Sequence, residues 1–156
     1  MRILAAALLL AAAAGGPAEP DDTFQPLNRT ILEGARAWLA RGSAYDASYF
    51  AIPYPGGDIP ADRGACVDLI IRALRHAGLD LQRLIHEDRV ARAGAYGTPR
   101  TPDTNLDHRR CVNQVVYLRR HARSLTTRTD GAHLREWLPG DLVYYGTKRP
   151  WHAGIV

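Results

Sequence analysis

The apolar residues of this chain change period along its length, and that change constrains the fold more than any other feature. From Asn28, the residues Ile31, Leu32, Ala35, Trp38 and Leu39 form one stripe of a helix that Gly42 ends, with Asn28 placed as its N-cap. A second stripe, Val67, Ile70, Ile71 and Leu74, predicts a helix over about 65–76 that Gly78 stops. Asp80 caps a third helix to about Arg92, burying Leu81, Leu84, Ile85 and Val90. Val112, Val115, Val116 and Leu118 mark a fourth over 111–122. Only after the Pro139-Gly140 turn do strand-like runs follow, Asp141–Tyr145 and Trp151–Val156. Helices first and strands last imply an α+β domain with segregated helices and an antiparallel sheet. Two strands are marginal alone, and the sequence stops within the second, so the sheet is expected to be incomplete and the domain truncated at its C-terminus.

With 156 residues the chain holds one domain of ordinary size. Ile3 to Ala14 run without a polar residue behind Arg2, too short to span a bilayer, and lead into small residues and prolines, as a secretory signal does. The expected organisation is a signal peptide over 1–18, a linker over 19–27 and a domain over 28–156, placed in the periplasm or secreted, with no stable membrane insertion after cleavage. The Asn28-Arg29-Thr30 sequon carries little weight, because Asn28 serves as a cap. The net charge is +4, but the basic residues are scattered, which excludes nucleic acid as a partner.

Two segments lack periodicity. Residues 45–63 carry four aromatics and three prolines and make a shaped loop, and residues 94–110 are polar and interrupted by prolines. Asp103, Asn105, Asp107, His108, Arg109 and Arg110 crowd the second loop, as either a wall of a substrate cleft or a solvated loop pinned by internal salt bridges. The irregular spacing of Asp103, Asp107, His108 and Cys111 disfavours a metal site, and no cofactor is implied. Asp141 reads as a turn-stabilising residue, and Trp137 and Trp151 receive no role.

The chemistry rests on two cysteines. Cys66 falls in the first turn of the second helix, where orphan N–H groups and the positive end of the dipole favour a thiolate. His152, on the last strand between Trp151 and the small pair Ala153-Gly154, is a base that could meet it across a cleft. The alternative in an exported chain is a Cys66–Cys111 disulfide, locking a non-catalytic module whose two loops bind an envelope partner.

Three stretches in fixed order resemble the NlpC-type branch of the papain-like cysteine peptidase superfamily. They are Pro53-Tyr54-Pro55-Gly56-Gly57 leading to Ala65-Cys66-Val67-Asp68, then Leu138 to Tyr145, then His152-Ala153-Gly154-Ile155-Val156. Within that branch, PYPGGDIPADRGAC, DLQRLIHED and DTNLDHRR are most similar to a bacterial exported group, domain of unknown function 1287, over about residues 44–156. The resemblance implies a papain-like α+β hydrolase that cleaves amide bonds in peptide or peptidoglycan-like substrates. It assigns Cys66 as nucleophile, His152 as general base and Tyr54 to the oxyanion side, with Asp107, His108 and Arg109 taken as substrate-binding. The branch commonly has Asp-Cys-Ser-Gly where this chain has Ala65-Cys66-Val67-Asp68, and the residue that orients the histidine would lie beyond Val156.

Overall fold

In the computed structural model, which describes residues 2–8, 24–97 and 101–156, the helices pack on an antiparallel sheet in an α+β fold, but the chain does not run helices first and strands last, since strands also precede and interrupt the helices. The chain runs β1 (Arg2–Leu8), α1 (Phe24–Leu39), β2 (Ala44–Tyr45), β3 (Arg63–Gly64), α2 (Cys66–His76), α3 (Leu81–Ala91), α4 (Cys111–His121), β4 (Ala122–Ser124), β5 (Leu142–Gly146) and β6 (Pro150–Ile155). Short 3₁₀ turns cover Ala93–Tyr96, Asp107–Arg109 and Leu134–Glu136.

The main sheet has the order β4-β1-β5-β6, and each neighbouring pair is antiparallel. The β5–β6 hairpin sets Tyr144 opposite Ala153 and Tyr145 opposite His152. Tyr144 and Ala153 are buried against the core, while Tyr145 and His152, paired across the hairpin, lie toward its rim. Sequence patterning missed β1 and β4. Arg2–Leu8, the front of the expected leader, forms β1, whereas residues 9–23 of the leader and linker lie outside the described residues.

The core joins the apolar stripes of the four helices to the inner face of the sheet. Ile31 and Ala35 of α1, Ile70, Ile71 and Leu74 of α2, Leu81 and Ile85 of α3, and Val115 and Leu118 of α4 pack with Leu142, Tyr144 and Ala153. Each large aliphatic side chain fully buried there contributes about 1.5–3 kcal/mol.

Two expectations are corrected. Asn28 does not cap α1, which begins at Phe24; it is buried within the helix and donates from Nδ2 to Asp141 Oδ1 at 2.9 Å, so its amide ties the first helix to the start of β5. Asp141 also accepts the Leu138 N–H at 2.8 Å, which makes it the turn-stabilising residue the sequence indicated. Val90 is 62% exposed, because the last turn of α3 runs past the edge of the core.

The two aperiodic loops are ordered by one buried amide. Gln82, at the start of α3, accepts the Gly57 N–H at 2.9 Å and donates to the carbonyls of Pro53, at 2.9 Å, and Thr104, at 3.1 Å. Loop 45–63 is thereby laced to the segment before Asp107. The parallel contact of β2 with β3 closes its base just ahead of Cys66. Gly57 must be glycine here, since a Cβ would stand 2.0 Å from the Pro53 oxygen.

Candidate active site

The site begins at the first turn of α2. Ala65 is its N-cap but has no side-chain oxygen to offer, so only half of a capping box forms: Asp68 reaches back and accepts the Ala65 N–H at 2.7 Å. The same carboxylate receives Arg109 in a bidentate ion pair at 2.8 and 3.0 Å, with both side chains almost wholly inside. Arg109 further donates to the Ser48 carbonyl at 2.7 Å. This buried pair fixes the helix start against loop 45–63, and with it the position of Cys66. The Cys66 and Val67 N–H groups, in the first turn, have no intrahelical acceptor.

Three groups from two elements converge on the half-buried Cys66 sulfur. Cys111, the first residue of α4, supplies a thiol that hydrogen-bonds to it. From β6 come the Ala153 N–H and the His152 imidazole. Together these hold the Cys66 thiol well below its ordinary range, with the Cys111 bond the largest influence and the partial burial opposing it. The same pairing, with burial, pushes the Cys111 thiol far up, so Cys66 is the sulfur that carries the negative charge. His152 is exposed at the rim, its ring 5.9 Å from that of Tyr145 and 5.7 Å from that of Trp151.

Behind the sulfurs lies a polar chain. The Tyr144 hydroxyl donates to Gln114 Oε1 at 2.8 Å, and Gln114 Nε2 donates to the His108 carbonyl at 2.8 Å and more weakly to Val67 O at 3.4 Å. Gln114 therefore holds the starts of α2 and α4 side by side. The sequence reading missed Asp68, Gln114 and Tyr144; the spacing from Ala65 to Asp68 was a signal for the first, whereas the other two sit on apolar helix and strand patterns.

The remaining predicted site residues lie elsewhere. Tyr54 packs on α3, its ring edge-on to His86 with centroids 5.0 Å apart, and the charges that reach its hydroxyl are Glu87, Asp80 and Arg83. Asp107, His108 and Arg109 are corrected from substrate-facing to interior: all three are buried, Asp107 pairs with Arg89 at 3.1 Å and Arg109 with Asp68. Internal salt bridges do hold that segment, but it is buried there and not solvated, because its charges find partners on α2 and α3. No group of three or more His, Cys, Asp or Glu converges on a metal position among the described residues.

His108 is 2% exposed with Nδ1 unpartnered, and burial pulls its pKa from 6.5 down to about 4. Because the folded value is lower, the unfolded chain takes up the proton first. The stability this neutral histidine provides is complete above pH 6.5 and is lost as the pH falls toward 4. Chemical denaturation across that window should show a loss of roughly 3 kcal/mol from this group, and His108→Gln should flatten the slope. An unchanged slope would contradict the buried neutral state.

A family described as domain of unknown function (DUF1287) matches residues 32–156. The Escherichia coli (strain K12) protein described as uncharacterized protein YijF is 38% identical over 147 residues, covering 90% of this chain and 70% of its own length. No solved structure matches the chain.

Proposed function

We propose that the chain, which belongs to the DUF1287 family, is an exported cysteine hydrolase that cleaves amide bonds, with cell-wall peptides as its substrate class. The observation that carries this reading is the convergence on the Cys66 sulfur of an imidazole and a backbone N–H from β6, at a helix start whose first-turn N–H groups have no intrahelical acceptor. A nucleophile, a base and oxyanion donors on separate elements are what acyl transfer requires. The order of the Pro53–Gly57, Leu138–Tyr145 and His152–Val156 stretches supports the papain-like, NlpC-type assignment of this α+β fold.

In this mechanism His152 takes the Cys66 proton, and the thiolate attacks the amide carbonyl. The N–H groups of the first α2 turn hold the oxyanion, and His152 then protonates the leaving amine. A water molecule, deprotonated by His152, releases the acyl group. The Cys66 thiol is held low before substrate arrives, so its proton leaves readily.

The apolar run behind Arg2 supports export, and no described helix is long and apolar enough to cross a membrane. Removal of residues 1–18 would uncover the edge of β5 that β1 covers. Both cysteines are free thiols, which favours a nucleophile over a binding module locked by a disulfide. Purified protein incubated with peptidoglycan fragments should release new amino termini, and Cys66→Ala should abolish the release. Equal release by the Cys66→Ala protein would overturn the reading.

A further inference from the structure

Cys111 has no part in the chemistry just described, yet it is the group set directly against the nucleophile. Both cysteines are the first residues of helices, and Gln114, one turn into α4, holds those two helix starts together through Val67 O and His108 O. Cys111 is buried while Cys66 is half-exposed, so an incoming oxidant meets Cys66 first. The two residues are 45 apart in sequence, and the fold sets the helix starts that carry them side by side, with Cys111 in the core cluster and Cys66 packed against it. A structural pair would be expected to lie sealed in the core, whereas here one sulfur faces the outside and its neighbour waits behind it.

We propose that Cys66 and Cys111 form a reversible disulfide when a hydroperoxide oxidises the site, with Cys111 as the resolving thiol that shields the nucleophile from irreversible damage. The proposal rests on the assignment of Cys66 as nucleophile. The Cys66 thiolate attacks one peroxide oxygen; the S–O bond forms, the O–O bond breaks, and the second oxygen leaves as hydroxide. The Cys111 sulfur then attacks the sulfenic sulfur of Cys66. The S–S bond forms, the S–O bond breaks, and the oxygen departs as water with the Cys111 proton. Sulfur gives up two electrons and the peroxide accepts them; an external dithiol reverses the change. Cys66 is the ionised sulfur that meets the peroxide, and once it is a neutral sulfenic acid the Cys66 charge that holds the proton on Cys111 is gone, which frees Cys111 to ionise and attack. In an oxidising compartment such a pair keeps the nucleophile recoverable, since sulfinic acid is not reduced by thiols.

The test uses the full chain, reduced and then freed of reductant, treated with hydrogen peroxide and read by intact mass and by iodoacetamide labelling of Cys66. The expected product is one species lighter by two hydrogens, whose labelling falls on the order of a hundredfold and returns with dithiothreitol. Cys111→Ser, or Cys111→Ala if serine unsettles the buried position, should instead gain one and then two oxygens on Cys66, with dithiothreitol unable to recover the second product. Overoxidised Cys66 in the unaltered protein, with Cys111 still a thiol, would overturn the proposal. So would a disulfide that dithiothreitol does not open. If Cys66 in the reduced protein labels no faster than Cys111, the nucleophile assignment fails, and this proposal with it. A reactive Cys66 that never pairs sinks the disulfide alone.

Discussion

Arg109→Ala is expected to cost about 3–5 kcal/mol of folding stability, because it strands the Asp68 carboxylate inside the protein without its cation. The pair is nearly inaccessible, at 3% and 2% side-chain exposure, and geometrically close to ideal for a guanidinium and a carboxylate. The substitution also leaves the Ser48 carbonyl without its donor. Urea unfolding should show a lower midpoint at an unchanged slope. The double variant Asp68→Asn/Arg109→Met should lose less than Arg109→Ala alone, since it removes both charges together. A loss below about 1 kcal/mol for Arg109→Ala would place the pair in the class of surface bridges and contradict its role in fixing the start of α2.

His152→Ala is expected to lower amide hydrolysis by roughly 10²–10⁴-fold, the range of a removed general acid and base. The fold should survive, because His152 lies at the exposed rim of β6 and its ring contacts are with Tyr145 and Trp151. The loss should fall on kcat rather than KM, since the imidazole acts on the reacting atoms and contributes little to holding the rest of the substrate. Activity within a factor of about three of the unaltered protein would remove His152 from the mechanism.

The helices were legible because each carries an apolar stripe with a stop or cap beside it. Asp80 is the cap that the sequence indicated, accepting the N–H groups of Gln82 and Arg83, and Gly78 has the positive φ expected after α2. Asn28 misled, because a residue with good capping chemistry also makes a good buried hydrogen bond, and only the distant Asp141 decides between them. The two β-rich runs were visible through their β-branched and aromatic residues, whereas β4, an exposed three-residue strand, has no pattern to read. At the site, the helix-start cysteine and the strand histidine stood out as residue types in telling positions. The burial of Asp107, His108 and Arg109 did not, since a run of charged residues normally signals solvent. Their partners Arg89 and Asp68 lie 18 and 41 residues away, on α3 and α2. Tyr54 likewise could be placed in its loop but not on α3, because a proline- and glycine-rich segment leaves its path to tertiary contacts.

The fold turns Cys66 into a thiolate and leaves Cys111 protonated, which the pH dependence of iodoacetamide labelling at each cysteine, followed by mass spectrometry on the reduced protein, measures directly. Labelling of Cys66 should be half-maximal near pH 5, where its pKa has been drawn down from 9.0 to about 5, and should fade below that pH as the sulfur takes up its proton. His152→Ala should move the midpoint upward and Cys111→Ala should move it further, following the order of the two influences. Cys111 should stay unlabelled through the whole range in which Cys66 reacts. A Cys66 midpoint in the ordinary thiol range of about 8.5, unmoved by either substitution, would contradict the account.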